Sequence, residues 1–297
     1  MANPTPGPRL EGAALDAVHH RGSHVQIVAA AGSGKKEVVS QRVVDLLAEG
    51  VAAEGIVAFT FTQRAAEEMG NRIARRVEGR LGAAALDRLG GLYVGTIHGY
   101  CFRLLTGRVP RYETYDVLDD NQLTAFLSRE ARRLGVRQLD PKGGDRLYAS
   151  INAFLAAVEV VENELFDPAS LPEPLRSVML AYYGALERYR LLTYGQQIVA
   201  AVRELERPEL AAEVHGSLRH LVVDEYQDVN PAQEALVGLL AGPGTELCVV
   251  GDDHQAIYQW RGSDVANIVG FADRYPGVAT FRIATTRRSR PWIIEVA

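Results

Sequence analysis

The sequence is poor in cysteine and contains no long apolar run. It has two cysteines among 297 residues, Cys101 and Cys248, which excludes a disulfide-rich scaffold and is too few for a four-ligand zinc site. No stretch approaches the roughly 20 apolar residues that span a bilayer. The N-terminus MANPTPGPRLEG lacks the basic and apolar segments of a signal peptide. We therefore expect a cytoplasmic protein with no membrane partner, in which both cysteines are buried apolar residues.

An excess of positive charge is also missing. The formal net charge is −5, so any nucleic-acid binding must come from a local basic groove and not from the overall field of the protein. Hydrophobic residues make up 47% of the chain and charged residues 23%, which is the ordinary range for globular proteins. The composition predicts one large or two modest domains and no particular partner.

Six short runs rich in Val, Ile, Phe and Leu have the pattern of buried parallel strands. They are 24-HVQIVAAA, 56-IVAFTF, 92-LYVGTI, 219-RHLVVDE, 246-ELCVVGD and 278-VATFRI. Helical sequence separates nearly all of them, which is typical of α/β folds. The clearest helix spans 64–81, and its apolar face should pack on the sheet. That face consists of Met69, Ile73, Val77 and Leu81.

The region 107–190 has almost no strand signal. Asp119 and Asp120 can cap a first helix, and the apolar positions around Phe154 predict a second one. The Pro-Lys-Gly-Gly stretch at 141–144 indicates a loop between the two helices. We interpret this region as a helical subdomain inserted into the α/β domain.

The stretch 27-IVAAAGSGKKEV joins a strand to a helix through a glycine-rich turn, with Lys35 at the start of the helix. Such a turn can direct backbone N–H groups and a helix N-terminus at phosphates, with the Lys ammonium on the terminal ones. The strict pattern G-x-x-x-x-G-K-[ST] is missed at Ala29 and at Lys36. Taken alone, the turn is explained about as well by simple strand-to-helix geometry as by phosphate binding.

The stretch 220-HLVVDEYQD is an apolar strand that ends in two adjacent carboxylates. In phosphate-loop enzymes one acid at such a strand end holds Mg²⁺, and a neighbouring carboxylate can take the proton of attacking water. We assign Asp224 to the metal and Glu225 to the base. An isolated Asp-Glu pair would more simply be solvated charge, but the glycine-rich turn favours the functional interpretation.

Six stretches resemble, in their order and spacing, the motifs of superfamily 1 DNA helicases of the UvrD/Rep type. They are GSGK at 32–35, FTFTQRAAEEM at 59–69, GTIHGYCFRLL at 95–105, DEYQD at 224–228, VVGDDHQAIYQWRGSD at 249–264 and TTRRS at 285–289. The resemblance implies an α/β fold, a RecA-like P-loop NTPase domain with a mainly parallel sheet and an inserted helical subdomain. It also implies ATP and Mg²⁺ as ligands and single-stranded DNA as partner.

The resemblance also implies roles for individual residues. The phosphates of ATP would contact Gly32, Ser33, Gly34, Lys35 and Lys36. Besides Glu225, the catalytic groups would be Gln255, which senses the γ-phosphate, and Arg288, which touches it. DNA would contact Phe61, Thr62, Thr96, His98, Tyr258, Trp260 and Arg261. Aromatic faces stack on bases without reading sequence, although core packing is the alternative for Phe61 and Trp260.

The sequence departs from the family pattern at four positions. The glutamine that reads adenine in the family would stand near Ala14 and is absent, and Arg287 stands where an aromatic ring stacks on adenine. His254 replaces an acid, and Lys36 replaces the hydroxyl that binds Mg²⁺. We expect the Lys36 ammonium to lower Mg²⁺-dependent hydrolysis more than nucleotide binding, because an extra cation repels the metal.

The resemblance predicts four segments. They are the first part of a RecA-like ATPase core at 1–108, the inserted helical subdomain at 109–190, the second part of the core at 191–284 and the start of a linker to a second RecA-like domain at 285–297. The second RecA-like domain would lie beyond Ala297. We therefore expect a chain that binds ATP and single-stranded DNA but is not a competent motor by itself.

The favoured function is the ATP- and single-stranded-DNA-binding N-terminal portion of an ATP-dependent 3′–5′ DNA helicase, completed by that second domain or by a protein partner. An alternative is a catalytically weak nucleotide- or DNA-binding module that acts through a partner, which Ala14, Lys36 and Arg287 suggest. A third is an unrelated phosphate-loop kinase or transporter ATPase, which GTIHGY and YQWRGSD argue against.

Overall fold

Two compact units make up the part of the protein that the computed structural model describes, residues 10–30, 32–140, 142, 146–252 and 266–283. The first unit lies within Met1–Ile97, Pro208–Val229 and Val237–Ala297. The second unit comprises His98–Arg207 and Asn230–Leu236. The second unit contains the range 109–190 together with flanking sequence. The assignment of ranges to the RecA-like core and to the linker at 285–297 stays a prediction.

Strands and helices alternate along much of the described chain. The strands are β1 Val25–Ala29, β2 Ile56–Thr60, β3 Tyr93–Thr96, β4 Asp116–Val117, β5 Leu191–Leu192, β6 His220–Val223, β7 Glu246–Gly251 and β8 Ala279–Ile283. The helices are α1 Ala13–His19, α2 Lys35–Ala48, α3 Gln63–Leu81, α4 Ile97–Arg108, α5 Asp120–Leu134, α6 Leu147–Asn163, α7 Leu175–Tyr189, α8 Tyr194–Leu205, α9 Pro208–Ser217, α10 Pro231–Leu240, α11 Ala266–Val269 and α12 Phe271–Arg274.

The first unit is built on a six-stranded parallel sheet. Its strand order is β3-β2-β6-β7-β1-β8, and every pair of neighbours is parallel. These strands are the six apolar runs predicted from the sequence, and the four inner ones are almost wholly buried. Because parallel strands end at the same edge of a sheet, the loops that follow β1, β2, β3, β6 and β7 lie along one edge.

The helix α3 follows β2 and confirms the predicted helix at 64–81. Thr62 caps it, since the Thr62 hydroxyl accepts a hydrogen bond from the Ala65 N–H at 3.1 Å. Three of the four predicted face residues are buried, namely Met69, Ile73 and Val77. The prediction for Leu81 was wrong: it is 38% exposed, because the helix ends there and no further turn covers it.

The second unit has its own helical core. A capping box starts α5, in which Asp119 accepts from the Gln122 N–H at 2.8 Å and Gln122 accepts from the Asp119 N–H at 2.9 Å. This confirms the predicted cap, and α6 confirms the predicted second helix. Apolar side chains of α5, α6 and α7 pack together, including Phe126, Phe154 and Tyr182.

Both cysteines are free and buried, as the sequence predicted. Burial raises the pKa of the Cys248 thiol and of the Cys101 thiol, so neither is a reactive thiolate. Within the described ranges, no helix combines the length and the apolar character that crossing a membrane requires.

A buried carboxyl group, Glu162 of α6, lies inside the second unit. It accepts hydrogen bonds from Gln196 Nε2 at 2.8 Å and from the Tyr183 hydroxyl at 3.4 Å. Gly195 packs against this carboxylate, so a Cβ at that position would collide with it. Burial raises the pKa of Glu162 from its ordinary value of 4.5 to about 7.

We expect Glu162 to make folding less favourable as the pH rises from 4.5 to about 7. In this range the folded state keeps a proton that the unfolded state has lost, so the free energy of unfolding falls with pH. The variant Glu162→Gln should therefore be more stable than the wild type above pH 7, by up to about 3 kcal/mol, and similar to it near pH 4. Denaturant unfolding at both pH values measures the difference. The exposed Glu206→Gln change is the control, and an equal effect of Glu162→Gln at both pH values would contradict the prediction.

Candidate functional site

The loop after β1 forms a glycine turn at the carboxyl edge of the sheet. Gly32 and Gly34 have φ angles of 73° and 98°, in the left-handed region that favours glycine. The helix α2 begins at Lys35, and no side chain caps its N-terminus. The Glu37 N–H donates to the Gly34 carbonyl at 2.8 Å, whereas the N–H groups of Lys35 and Lys36 precede the first intrahelical bond and, with the helix dipole, attract an anion. Among the described residues, none bonds to the buried hydroxyl of Ser33.

The Lys35 ammonium lies between two carboxylates from neighbouring strands. Its Nζ is 3.4 Å from Glu225 Oε2 and 3.9 Å from Asp252 Oδ2, and its side chain is 10% exposed. These are ion-pair distances, yet Nζ makes no hydrogen bond to any residue in the described part of the chain. A buried ammonium with unused donors is suited to bind a further anion.

Four carboxylates follow β6 and β7, which are adjacent strands. They are Asp224, Glu225, Asp228 and Asp252. Burial and the neighbouring Glu225 raise the pKa of Asp224 to about 7 and that of Asp228 to about 6. Asp224 Oδ1 and Asp228 Oδ1 are buried, and the described residues offer neither a hydrogen-bond donor. The cluster therefore holds more negative charge than Lys35 alone balances.

These carboxylates fit a Mg²⁺ ion that arrives with phosphates. The described residues contain no cluster of three or more His, Cys, Asp or Glu side chains arranged to hold a metal by themselves. Mg²⁺ does not require such a cluster, because it is usually bound by one or two carboxylates together with water and substrate phosphates. The buried Oδ1 of Asp224, which receives no hydrogen bond from the described residues, is a suitable oxygen ligand.

Glu225 has an unusual backbone conformation for a residue that is not glycine. Its φ and ψ are 53° and 44°, in the left-handed region, which costs about 1–3 kcal/mol and is often found at functional sites. A short 3₁₀ turn, Tyr226–Asp228, follows it. The sequence did not single out Asp228, Asp252 or Gln227 of this region, although DEYQD and GDD contain them. The adjacency of β6 and β7 is the observation that brings them together.

Lys36 points to a different partner. Its Nζ is 3.2 Å from Glu68 Oε2 of α3, and Arg64 also approaches Glu68, at 3.3 Å. The hydrogen bond and charge of Lys36 lower the pKa of Glu68. In the structure the Lys36 ammonium thus pairs with Glu68, which it shares with Arg64, and the effect of Lys36 on Mg²⁺ binding stays a prediction.

Three residues proposed for DNA lie at the ends of β2 and β3. Thr96, the last residue of β3, is the register partner of Thr60, the last residue of β2. Phe61 follows Thr60 in the chain, and 36% of its surface is exposed. Thr62 already uses its hydroxyl to cap α3, a structural role that its place in the motif does not indicate. The Asp224 N–H donates to the Phe59 carbonyl at 3.0 Å, so β2 is bonded directly to the strand that carries the acids.

His98 belongs to the second unit, where it lies in α4. Its ring is 5.9 Å from the ring of Tyr194 in an edge-to-face contact, and burial lowers its pKa. Ala14 is buried in α1 of the first unit. The other predicted site residues, Gln255, Tyr258, Trp260, Arg261 and Arg288, lie outside the described residues, as do His254 and Arg287.

Comparison with known proteins agrees with this arrangement. A family model described as the UvrD/REP helicase N-terminal domain matches residues 10–276. The chain belongs to the UvrD/REP helicase family. This confirms the family predicted from the six motifs and, with the parallel sheet, the RecA-like P-loop fold of the family.

Relatives within the UvrD/REP helicase family are similar over nearly all of this chain. ATP-dependent DNA helicase UvrD1 of Mycobacterium leprae (strain TN) is 33% identical over 301 residues, which cover 95% of this chain and 38% of UvrD1. ATP-dependent DNA helicase PcrA of Bacillus subtilis (strain 168) is 32% identical over 284 residues, which cover 91% of this chain and 36% of PcrA. PcrA of Staphylococcus aureus (strain Mu50 / ATCC 700699) is 30% identical over 286 residues. The chain thus spans little more than a third of the length of these relatives.

Proposed function

We propose that this chain provides the ATP-binding and single-stranded-DNA-binding part of an ATP-dependent 3′–5′ DNA helicase. The observation that carries the proposal is the meeting of Lys35 with Glu225 and Asp252, from loops after three neighbouring strands. Simple strand-to-helix geometry does not require a buried ammonium there, whereas phosphate binding does. A second motor domain or a protein partner would complete the motor.

The residues have distinct roles in this proposal. The N–H groups of the turn Gly32–Gly34 and of the first turn of α2 would bind phosphate oxygens. The Lys35 side chain would move so that its ammonium contacts the terminal phosphates and no longer Glu225. Asp224 would hold Mg²⁺, which neutralises charge on the phosphates when bound. Glu225, released from Lys35, would accept the proton of the attacking water.

The DNA-binding surface would include Phe61 and Thr96, at the same sheet edge as the phosphate loop. A base that stacks on Phe61 could shift the end of β2, and the hydrogen bond from the Asp224 N–H to the Phe59 carbonyl would pass this shift on to Asp224. His98, Tyr258, Trp260 and Arg261 complete the proposed DNA contacts, and Gln255 and Arg288 complete the proposed γ-phosphate contacts. The proposal also includes the 3′–5′ polarity and a cytoplasmic location.

A single-turnover ATPase assay with single-stranded DNA tests this function. We expect the chain alone to bind ATP with negligible hydrolysis, because an arginine supplied across a cleft contributes roughly 10³–10⁵ in rate. Joined to the proposed second motor domain, it should show DNA-stimulated hydrolysis. ATP-dependent strand separation by residues 1–297 alone would contradict this account of the motor.

A catalytically weak binding module is the second candidate. The observation that favours it is Lys36, an ammonium in place of the Mg²⁺-binding hydroxyl, which pairs with Glu68 instead. The same assay separates the candidates: nucleotide binding without any DNA-stimulated hydrolysis, with the second motor domain present, would support the module.

A further inference from the structure

Gln227 connects the acid pair of β6 to the end of β7. It is 1% exposed and lies in the turn Tyr226–Asp228. Its Nε2 donates to Glu225 Oε2 at 2.9 Å, and its Oε1 accepts from the Asp252 N–H at 3.0 Å. One side-chain amide thus joins a carboxylate on one strand end to the backbone of the neighbouring strand end.

The chemistry of the two partners fixes the orientation of this amide. The Asp252 N–H can only donate, so it requires the oxygen of Gln227, and the Glu225 carboxylate requires its nitrogen. Glutamate has the same shape but could satisfy only one partner, because it would place a second oxygen against Glu225 Oε2. The site therefore needs glutamine at this position and not an acid.

Close packing holds the amide in place. A Cβ on Gly251, the last residue of β7, would lie 2.5 Å from Gln227 Oε1, so a side chain there would displace the amide. Glu225 itself has the left-handed backbone conformation, which sets the direction of its side chain. The contacts of Gln227 and the backbone of Glu225 together determine where the carboxylate lies.

The two oxygens of Glu225 have different surroundings. Lys35 Nζ, at 3.4 Å, and Gln227 Nε2, at 2.9 Å, both approach Oε2. Within the described part of the chain, no group donates a hydrogen bond to Oε1, and the side chain is 30% exposed. Oε2 is therefore the anchored oxygen, and Oε1 has lone pairs available to solvent.

We propose that Gln227 is a positioning residue, which holds Oε2 of Glu225 so that Oε1 is the oxygen that takes the proton of the attacking water. This inference rests on the proposed function. When Lys35 moves to the phosphates, Gln227 becomes the contact that keeps Glu225 in place. Removing it leaves the base present but free to rotate.

The variant Gln227→Glu tests the inference, in the form of the protein in which the wild type shows DNA-stimulated hydrolysis. We expect kcat to fall roughly 10- to 100-fold, because a misdirected base loses alignment with its water. The KM for ATP should change less than about threefold, since Gln227 touches no phosphate-binding group of the turn. The acid limb of the pH–rate profile should move to higher pH, because a new carboxylate beside Glu225 disfavours its ionised form.

Two further variants separate positioning from folding. Gln227→Met, which fills the space without hydrogen bonds, should lower kcat without moving the acid limb. Gln233→Glu is the matched control, because Gln233 is another buried glutamine whose Oε1 accepts a backbone N–H, from Asn230 at 3.1 Å. We expect it to leave kcat and the pH profile unchanged.

The outcomes distinguish this inference from the proposed function. Absence of DNA-stimulated hydrolysis in the wild type would overturn the proposed function, and this inference with it. A wild type that hydrolyses ATP, with kcat and pH profile unchanged in Gln227→Glu, would overturn the inference alone. The inference would also be overturned if both Gln227 variants lost nucleotide binding and rate in parallel and the acid limb of Gln227→Glu did not move. That result would indicate a purely structural role for Gln227.

Discussion

The affinity of this chain for ATP is expected to fall about 100-fold in Lys35→Ala, so that nucleotide binding is largely lost. Lys35 supplies a buried ammonium beside the glycine turn, and this ammonium makes no hydrogen bond to the residues that the structure describes. Charged hydrogen bonds contribute roughly 1.5–3 kcal/mol each, and 1.4 kcal/mol corresponds to tenfold in affinity. Titration with a fluorescent ATP analogue measures the effect.

Lys142→Ala is the matched control for that titration. Lys142 is exposed and lies in the second unit, so its removal should leave the affinity for ATP unchanged. Because Lys35→Ala also removes an ion pair from Glu225 and from Asp252, thermal unfolding of both variants should be compared. A folded Lys35→Ala protein that binds ATP as the wild type does would exclude the phosphate-loop assignment.

Glu225→Gln is expected to separate ATP hydrolysis from ATP binding. General-base catalysis contributes roughly 10²–10⁴ in rate, so the hydrolysis rate should fall by that factor while the affinity for ATP stays within a few-fold. The amide of glutamine keeps the shape of the side chain but cannot accept the proton of water. Single-turnover hydrolysis with the second motor domain present, together with the binding titration, gives both quantities.

Asp228→Asn and Glu49→Gln complete this experiment. Asp228 is another buried acid of the cluster and the competing candidate for the base, and burial and Glu225 raise its pKa to about 6. Glu49 pairs with Arg21 on the surface and is the neutral control. If Asp228→Asn abolished hydrolysis and Glu225→Gln did not, the base would be Asp228.

The elements of this fold could largely be predicted from local sequence. The four inner strands are mostly apolar because they are buried in a parallel sheet. The helices α3 and α5 begin where Thr62 and Asp119 offer a capping oxygen. Leu81 departs from the prediction because periodicity does not show where a helix loses its cover. Such signals depend on neighbours within a few residues, so a single sequence carries them.

The sequence by itself determined the family, the strands and the residue types of the site: a lysine after a glycine turn and an acid pair after an apolar strand. Only the tertiary structure decided which of these residues meet. The order β6-β7-β1 places Asp252 beside Lys35 and Glu225, and it brings the Gln227 amide between two strand ends. The packing of α2 and α3 places Lys36 beside Glu68, and the fold buries Asp224 Oδ1 where the described residues offer it no hydrogen-bond donor. These contacts join positions as far apart as Lys35 and Asp252. Burial then shifts the pKa of the acids, because desolvation depends on the whole packed neighbourhood and not on adjacent residues of the sequence.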